Sequence, residues 1–244
     1  MGVLIMSGTD GGAVPRNVGV RRYSDGSWHM VDDVLSREVP VSVRVDGGER
    51  HMLWAWPENL HDLAAGHALL DMGLCGAAVK VQQVEEFSFL VSASGEQRCP
   101  ADADAGTLDA QSLMTCMGDF MGAAGLWDGT GCFHRAGVLD AASRTVLHRA
   151  EDIGRHNCID RLAGWAARKN VCPSGLVMLV SARVTASLCA KAMRAGFRFI
   201  VSRSAVTTAS VDMAASAGVT LVGFARDRER RFTVFTDAAA RVLD

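Results

Sequence analysis

The chain has 244 residues, 49% of them hydrophobic and 21% charged, with a formal net charge of −2. This length allows one large domain or two small ones, and the composition is typical of a soluble globular protein. The near-neutral charge argues against a DNA-coating role, and no apolar run approaches the roughly 20 residues of a membrane span. Because the first residues also lack the pattern of a secretory signal, we expect a cytoplasmic protein.

Seven cysteines are scattered along the chain: Cys75, Cys99, Cys116, Cys132, Cys158, Cys172 and Cys189. No two of them have the two-residue spacing of a zinc or thioredoxin-type site. We therefore expect no metal site and unpaired thiols in a reducing compartment, most of them small buried hydrophobic residues. Cys99 and Cys132 are the two that lie near the proposed chemistry.

The amino-terminal part begins with little periodicity. Residues 1–37 are rich in Gly, Asp and Ser, which predicts a loose arm, with order beginning near residue 38. Valines alternate with other residues over 39–45, and Asp46-Gly47-Gly48 precedes residues 50–56, which predicts a β-hairpin. Asn59 is then expected to cap a helix.

The middle of the chain predicts further short elements. Alternating apolar residues at 87–91 predict a strand, and residues 92–107 read as a loop that contains Cys99. A helical stripe over 113–121 follows. Residues 132–139 and 146–150 are then expected to form paired strands.

The carboxyl-terminal half alternates strictly between helix and strand. Asn157 and Asp160 resemble a capping pair at the start of a helix. The later elements are a strand at 176–180, a helix capped by Thr185, a strand at 197–201, a helix at 208–217, and strands at 219–224 and 232–236. This order predicts a three-layer α/β fold whose mostly parallel or mixed sheet carries helices on both faces. We divide the chain into the arm at 1–37, a small β-hairpin and helix extension with the cysteine loop at 38–125, and an α/β core at 126–244.

Three predicted parallel strands each end on an arginine: Arg183, Arg203 and Arg226. Ligands of open α/β sheets bind at the carboxyl ends of the strands, where helix N-termini and loops converge. Guanidinium groups and free helix N–H groups both favour phosphate oxygens. For any one arginine a solvated loop is the simpler explanation, but three together indicate a phosphate-bearing ligand.

Two polar clusters are further candidates. The segment from Glu151 to Asn157 holds two acids, Arg155 and His156; these side chains either bind a ligand or pair among themselves to fix a turn. Cys132 precedes His134 by two residues, so both side chains would share one strand face and the histidine could lower the pKa of the thiol. A buried, inert Cys132 is the alternative.

Several segments together resemble the formate dehydrogenase accessory sulfurtransferases, the FdhD family. The matching segments, in order, are Glu38-Val39-Pro40-Val41, Pro57-Glu58-Asn59-Leu60, Thr130-Gly131-Cys132-Phe133-His134, Glu151-Asp152-Ile153-Gly154-Arg155-His156-Asn157, Ser181-Ala182-Arg183, Ser204-Ala205-Val206-Thr207-Thr208 and Leu221-Val222-Gly223-Phe224-Ala225-Arg226. The resemblance spans roughly residues 38–236. The segment at 151–157 is the most specific of these matches.

The resemblance implies a fold similar to cytidine deaminases and a role as sulfur carrier. Members carry sulfur from a cysteine desulfurase to the molybdenum bis(guanine dinucleotide) cofactor, bound as cargo, before its insertion into formate dehydrogenase. The cofactor-binding stretch of the family maps onto Phe224, Ala225, Arg226, Asp227, Arg228 and Glu229. From the other matched segments we add Arg183, His134, Arg155 and His156 to the expected cofactor site. We expect neither DNA nor a membrane as a partner, and the sequence leaves open whether the protein forms a homodimer.

The chain departs from the family in its cysteine loop. The usual Cys-Gly-x-Cys-Gly motif is absent, and Arg98-Cys99-Pro100 holds the loop's one cysteine. Cys99, with an adjacent arginine favouring its thiolate, and Cys132 are therefore the candidate sulfur acceptors, with Cys116 as a further fallback. The alternative function is a cofactor-binding chaperone that transfers no sulfur. A zinc deaminase is rejected, because the sequence lacks both His-x-Glu and Pro-Cys-x-x-Cys.

Overall fold

A computed structural model describes residues 16–97, 99–100 and 103–244. Strands β1 (Arg16–Ser24) and β2 (Ser27–Leu35) form an antiparallel hairpin with Ser24 opposite Ser27. The two turn residues, Asp25 and Gly26, have φ values of 52° and 81°, as a two-residue hairpin turn requires. The prediction that order begins near residue 38 was therefore wrong for residues 16–35; the rest of the predicted arm, residues 1–15, lies outside the described residues.

A four-stranded sheet forms next, with the strand order β4-β3-β6-β5. Its elements are β3 (Val39–Val45), β4 (Arg50–Ala55), α1 (Leu60–Asp71), β5 (Ala77–Glu85) and β6 (Ser88–Glu96). The predicted hairpin is confirmed as β3 and β4, whereas β5 was not predicted. Asn59 does precede α1, but its backbone is left-handed and its side chain makes no capping hydrogen bond. Asn59 is therefore the N-cap by position only.

The remaining elements follow the predicted order closely. They are β7 (Leu108–Asp109), α2 (Ala110–Gly122), α3 (Leu126–Thr130), β8 (His134–Asp140), β9 (Thr145–Asp152), α4 (Arg155–Lys169), a 3-10 turn (Pro173–Gly175), β10 (Val177–Val180), α5 (Ala186–Arg194), β11 (Phe199–Ser202), α6 (Thr208–Ser216), β12 (Thr220–Arg226), β13 (Arg231–Thr236) and β14 (Val242–Leu243). The helix at 208–217 and the strand at 176–180 are thus confirmed within one residue, and the helix at 113–121 is confirmed within three.

The central sheet has six strands in the order β13-β12-β11-β10-β8-β9. Strands β10, β11 and β12 run parallel, and β8, β9 and β13 pair antiparallel. One face packs on α4, α5 and α6 and the other on α2, so the predicted three layers with a mixed sheet are confirmed. Helix α2 packs on this sheet. The predicted domain boundary after residue 125 therefore separates α2 from the α/β core that this helix covers. Among the described residues, no helix is both long and apolar enough to cross a bilayer.

Helices α1 and α4 pack at unusually close range and join the two sheets. A side-chain carbon at Gly66 would overlap the carbonyl of Asp160, and one at Gly164 would overlap the carbonyl of Asp62. Glycine at both positions lets the two backbones meet. This close contact with α1 fixes the position of α4 relative to the amino-terminal sheet.

The start of α4 differs from the prediction. Its N-cap is Gly154, so Asn157 and Asp160 lie inside the helix and cap nothing. The Asn157 side chain donates to the carbonyl of Trp54 at 2.8 Å and to Asp152 Oδ1 at 2.9 Å. Asp160 is fully buried and accepts from Lys191. Both residues bind distant parts of the chain, which a local capping pattern does not reveal.

Candidate functional site at the carboxyl edge of the sheet

The strand register brings the predicted ligand residues to one edge of the central sheet. Because β8 runs antiparallel to β10, His134 at the start of β8 lies at the same edge as Arg183, which follows β10. The pair His134–Asp152 places the end of β9 there as well, directly before α4. Arg203 follows β11 at this edge, and its parallel neighbour β12 ends there on Arg226. The edge is therefore built from five neighbouring strands.

His134, Arg155 and Arg183 form the centre of this edge. His134 is half-buried, and burial, together with the nearby charges of Arg155 and Arg183, lowers the pKa of its imidazole. A neutral ring between two guanidinium groups leaves the local charge positive. An anion bound here would accept hydrogen bonds from the two guanidinium groups and from the imidazole ring of His134.

His156 joins the same cluster from the first turn of α4. Its Nε2 lies 3.1 Å from Ser187 Oγ in the first turn of α5. Burial lowers the pKa of His156, with Arg155 and Lys191 contributing. Both predicted histidines are therefore neutral at pH 7.

Two helices begin at this edge with threonine caps, as predicted. Thr185 accepts from the backbone N–H of Leu188 at the start of α5, and Thr207 accepts from Ser210 at the start of α6. The remaining N–H groups of each first turn carry partial positive charge. They add to the anion-binding character of the arginines.

The arginines of this edge differ in whether an acidic side chain neutralises their charge. Arg226 is paired with Glu229 at 2.7 Å. Among the described residues, no acidic side chain lies within ion-pair distance of Arg155, Arg183 or Arg203. These three uncompensated cations define the part of the edge most suited to phosphate groups.

Strand β12 has a strained backbone at Phe224, where its pairing with β13 is irregular. Phe224 has a φ of 53°, and its N–H donates to the carbonyl of Ser204 at 2.9 Å. The guanidinium groups of Arg226 and Arg231 lie 5.6 and 5.5 Å from the centre of its ring. A non-glycine residue held at positive φ is costly and is often found at ligand sites.

The six residues of the predicted cofactor stretch are not equivalent. Ala225 is buried in the core, so any ligand contact would involve its backbone. Glu229 bridges Arg226 and Arg231, and these bonds hold its carboxyl pKa below the usual range. Arg228 and Asp227 are exposed. Phe224, Arg226 and Arg228 are thus the side chains of this stretch best placed for a ligand.

The acids of the 151–157 segment serve the fold. Asp152 is fully buried and accepts from Arg161 at 2.6 Å, and Glu151 accepts from the buried Arg135. The sequence left self-pairing and ligand binding open. The two acids form ion pairs with Arg135 and Arg161, which both lie outside the segment, whereas Arg155 and His156 lie at the edge.

Cys132 lies at this edge, just before β8. It is exposed, and its backbone N–H donates to Thr130 Oγ1 at 3.3 Å. Because Cys132 lies outside the strand, the strand face that it was predicted to share with His134 is not formed. The alternative of a buried Cys132 is also wrong.

The expectation of seven unpaired thiols is also wrong, because Cys99 and Cys172 form a disulfide. Arg98, the neighbour expected to favour the Cys99 thiolate, lies outside the described residues. The free cysteines are Cys75 and Cys132, both exposed, and Cys116, Cys158 and Cys189, all buried.

Burial raises the thiol pKa of each of the three buried cysteines. Cys116, Cys158 and Cys189 are consequently protonated at pH 7 and poorly reactive, as expected of structural residues. Cys116 is thereby a weak fallback for sulfur transfer. Cys75 is exposed rather than buried.

A group of potential metal ligands lies behind the edge and was missed by the sequence reasoning. His67, Asp71 and Asp160 place one ligand atom each within 4.8 Å of the others. The ammonium group of Lys191 already bridges Asp71 and Asp160, so a metal ion would have to displace it. The side chains of this cluster therefore act as partners of the Lys191 ammonium group rather than as metal ligands.

A cavity of about 230 Å³ lies elsewhere, beside the outer edge of β9. Trp56, His148 and Arg161 are among its lining residues. None of the residues predicted to bind the cofactor or to carry sulfur lines it. The open carboxyl edge, and not this cavity, is consequently the candidate site.

The fold and the edge define a three-layer α/β protein that presents uncompensated arginines and helix N-termini to an anionic ligand. The family model described as FdhD/NarQ matches residues 75–242. The chain belongs to the FdhD/NarQ family, which confirms the resemblance found in the sequence.

Named relatives agree with this membership, and one solved structure shares the fold. The sulfur carrier protein FdhD of Xanthomonas campestris pv. campestris (strain B100) is 28% identical over 253 residues, covering 89% of each chain. The sulfur carrier protein FdhD of Nocardia farcinica is 33% identical over 211 residues, covering 85% of this chain and 64% of its own. A crystal structure from Desulfotalea psychrophila, assigned as a formate dehydrogenase accessory protein, superposes with a TM-score of 0.81 at 21% identity, covering 94% of this chain and all of that one.

Proposed function

We propose that this protein is a sulfur carrier that serves formate dehydrogenase. It takes sulfur from a cysteine desulfurase and passes it to molybdenum bis(guanine dinucleotide) held at the carboxyl edge of the sheet. The observation that carries the proposal is the convergence of Arg155, Arg183 and His134 at that edge, in a chain whose relatives are named sulfur carriers.

The edge fits the chemistry of the cargo. Each guanine dinucleotide carries a pyrophosphate, and bidentate guanidinium groups match phosphate oxygens in geometry and charge. Arg155, Arg183 and Arg203 have no acidic side chain at ion-pair distance in the described parts of the chain, so their donors are available to a ligand. The partly exposed ring of Phe224 offers an aromatic face beside them.

The sulfur step needs a reduced, accessible cysteine. Its thiolate attacks the outer sulfur of the desulfurase persulfide, a new S–S bond forms, and the desulfurase thiolate leaves with the electron pair of the broken bond. Cys99 and Cys132 are both exposed, and Cys99 takes part once its disulfide has been reduced. Cys132 lies at the arginine edge itself.

Binding at the edge is tested with GDP, which supplies one guanine nucleotide end of the cargo. Arg183→Ala removes a charge-assisted donor, and we expect GDP binding to weaken by about 1.5–3 kcal/mol in a calorimetric titration. Arg198→Ala is the matched control, because Arg198 lies at the opposite end of β11 and bonds to backbone carbonyls. Equal affinities for wild type and Arg183→Ala would contradict the assigned site.

Sulfur uptake is tested separately. The reduced protein is incubated with a cysteine desulfurase and cysteine, alkylated, and searched by mass spectrometry for a cysteine that carries one additional sulfur atom. The Cys99→Ser and Cys132→Ser variants then show which thiol accepts it. If no cysteine acquires sulfur and no sulfide is released, the carrier function is wrong.

A cofactor chaperone that transfers no sulfur is the second candidate. Two observations favour it: Cys99 is held in a disulfide, and the sulfur of Cys132 makes no hydrogen bond to any of the described residues. This function predicts that GDP binding survives in a variant lacking Cys99 and Cys132, and that formate dehydrogenase activity is restored by that same variant in cells lacking the natural protein. Loss of activity in the variant, with GDP binding retained, would exclude the chaperone and support the carrier.

A further inference from the structure

Two cysteines distant in sequence meet on the surface of the protein. Cys99 and Cys172 are separated by 73 residues, yet their Cα atoms lie 5.3 Å apart and their sulfurs are bonded. Cys99 is exposed and Cys172 is half-buried. An outside protein can therefore reach Cys99, whereas Cys172 is reached mainly by Cys99.

The segments that carry the two cysteines are fastened independently of the disulfide. Before Cys99, the backbone N–H of Gln97 donates to the carbonyl of Gly76 at 2.9 Å. After it, Asp104 forms an ion pair with Arg241 at 2.7 Å. The loop is thus tied on both sides of Cys99.

Cys172 is held by its own surroundings. It lies directly before the 3-10 turn Pro173–Gly175, and its Sγ is 3.0 Å from Ser174 Oγ. Gly175 in that turn packs beside Ala103 and Asp104 of the Cys99 loop. Reduction would consequently leave the two thiols as close neighbours.

The pair lies at the opposite edge of the sheet from the arginines. Cys172 precedes β10, and Arg183 follows it. The four residues of β10 span roughly 13 Å at about 3.3 Å per residue. Sulfur bound to Cys99 in this position does not touch a ligand at the arginine edge, so it has to be released to reach one.

We propose that Cys172 is the thiol that releases sulfur from a persulfide on Cys99, an inference that rests on the proposed sulfur-carrier function. The Cys172 thiolate attacks Cys99 Sγ and forms the observed disulfide. The bond between Cys99 Sγ and the outer sulfur breaks, and that sulfur departs as hydrosulfide with the bonding electron pair. The outer sulfur is reduced to sulfide while the two cysteines become a disulfide.

This step supplies sulfur at the oxidation level of a metal sulfide ligand. A persulfide sulfur needs two electrons to reach that level, and the cysteine pair provides them without an external reductant. A dithiol reductant of the thioredoxin class then returns the pair to thiols by exchange at the exposed Cys99.

The test follows sulfur and disulfide together in the full-length protein. Protein reduced and then freed of reductant is incubated anaerobically with a cysteine desulfurase and cysteine. Sulfide is measured colorimetrically, and the persulfide on Cys99 and the Cys99–Cys172 disulfide are measured by mass spectrometry. In the wild type we expect one sulfide for each disulfide formed.

The Cys172→Ser variant is expected to accumulate persulfide on Cys99 and to release sulfide roughly tenfold more slowly. Cys75→Ser is the matched control, since Cys75 is an exposed free cysteine, and it should behave as wild type. The wild-type stoichiometry tests the step even if Cys172→Ser folds poorly.

The outcomes separate the inference from the proposed function. If Cys99 gains sulfur but sulfide appears without the disulfide, or at the wild-type rate in Cys172→Ser, the role of Cys172 is overturned while the carrier function stands. If Cys99 gains sulfur in neither the wild type nor Cys172→Ser, Cys99 is not the acceptor, and the proposed role of Cys172 is overturned as well.

Discussion

Lys191 Nζ donates to Asp160 Oδ2 at 2.7 Å, and both side chains are buried directly behind the arginine edge. The same ammonium group donates to Asp71 Oδ2 at 2.6 Å, so one cation links helices α1, α4 and α5. Burial raises the pKa of Asp71, but its bonds to Lys191 and Arg194 and the charge of His67 outweigh that effect and keep it low. The Asp71 carboxyl group is therefore ionised, and both Asp71 and Asp160 accept hydrogen bonds from Lys191.

Replacing Lys191 with methionine should destabilise the protein strongly. Lys191→Met leaves the buried Asp160 carboxylate without its cation, whereas the more exposed Asp71 keeps its pair with Arg194. Removing one partner of a buried ion pair typically costs about 3–5 kcal/mol. Urea denaturation followed by circular dichroism measures the change in the free energy of unfolding. Lys169→Met, on the exposed last turn of α4, is the control and should change it by less than about 0.5 kcal/mol. A loss below about 1 kcal/mol in Lys191→Met would show that the network contributes little.

This network shows which features the sequence could and could not predict. The alternation of strands and helices placed Arg183, Arg203 and Arg226 at one edge, because the carboxyl ends of parallel strands always meet there. Asp160 was assigned to a helix cap because its partner Lys191 lies 31 residues further on, beyond any local pattern.

Two other misses have different causes. The hairpin at 16–35 carried a local signal, since Asp25-Gly26 is a preferred two-residue turn, and it was overlooked among the polar residues of that segment. The pairing of Cys99 with Cys172 had no local signal, because spatial neighbours separated by 73 residues are set by the tertiary fold.

A methyl group at residue 164 should disrupt the crossing of α1 and α4. Gly164→Ala forces the two backbones apart, since the new carbon would overlap the carbonyl of Asp62. We expect a loss of about 1–3 kcal/mol or more in the free energy of unfolding, despite the better helix propensity of alanine. Gly129→Ala is the matched control, because no atom lies within 4 Å of the added carbon. Thermal unfolding of both variants checks this, and an unchanged stability in Gly164→Ala would contradict the close crossing.

The disulfide should stabilise the oxidised protein measurably. It closes a long loop, with 73 residues of separation, so the entropy of the unfolded chain falls and the stabilisation amounts to about 2–4 kcal/mol. Oxidised wild type should therefore unfold at a higher urea concentration than either reduced wild type or Cys172→Ala. Adding reductant should lower the urea concentration at which the wild type unfolds and should leave that of Cys172→Ala unchanged. A shift of equal size in Cys172→Ala would assign the effect to other thiols.

Protonation of His134 should be linked to anion binding at the edge. Burial and the charges of Arg155 and Arg183 lower the pKa of His134 in the free protein, and a bound pyrophosphate would raise it again. Binding then takes up a proton, so the contribution of His134 to affinity grows as the pH falls below about 7. GDP affinity is measured by calorimetry between about pH 7.5 and 5.5 for wild type and for His134→Gln, whose amide keeps a donor but does not titrate. The phosphate of GDP also titrates in this range, so the difference between the two proteins isolates His134. Wild type should gain affinity relative to His134→Gln as the pH falls, and parallel pH profiles would place the bound anion away from His134.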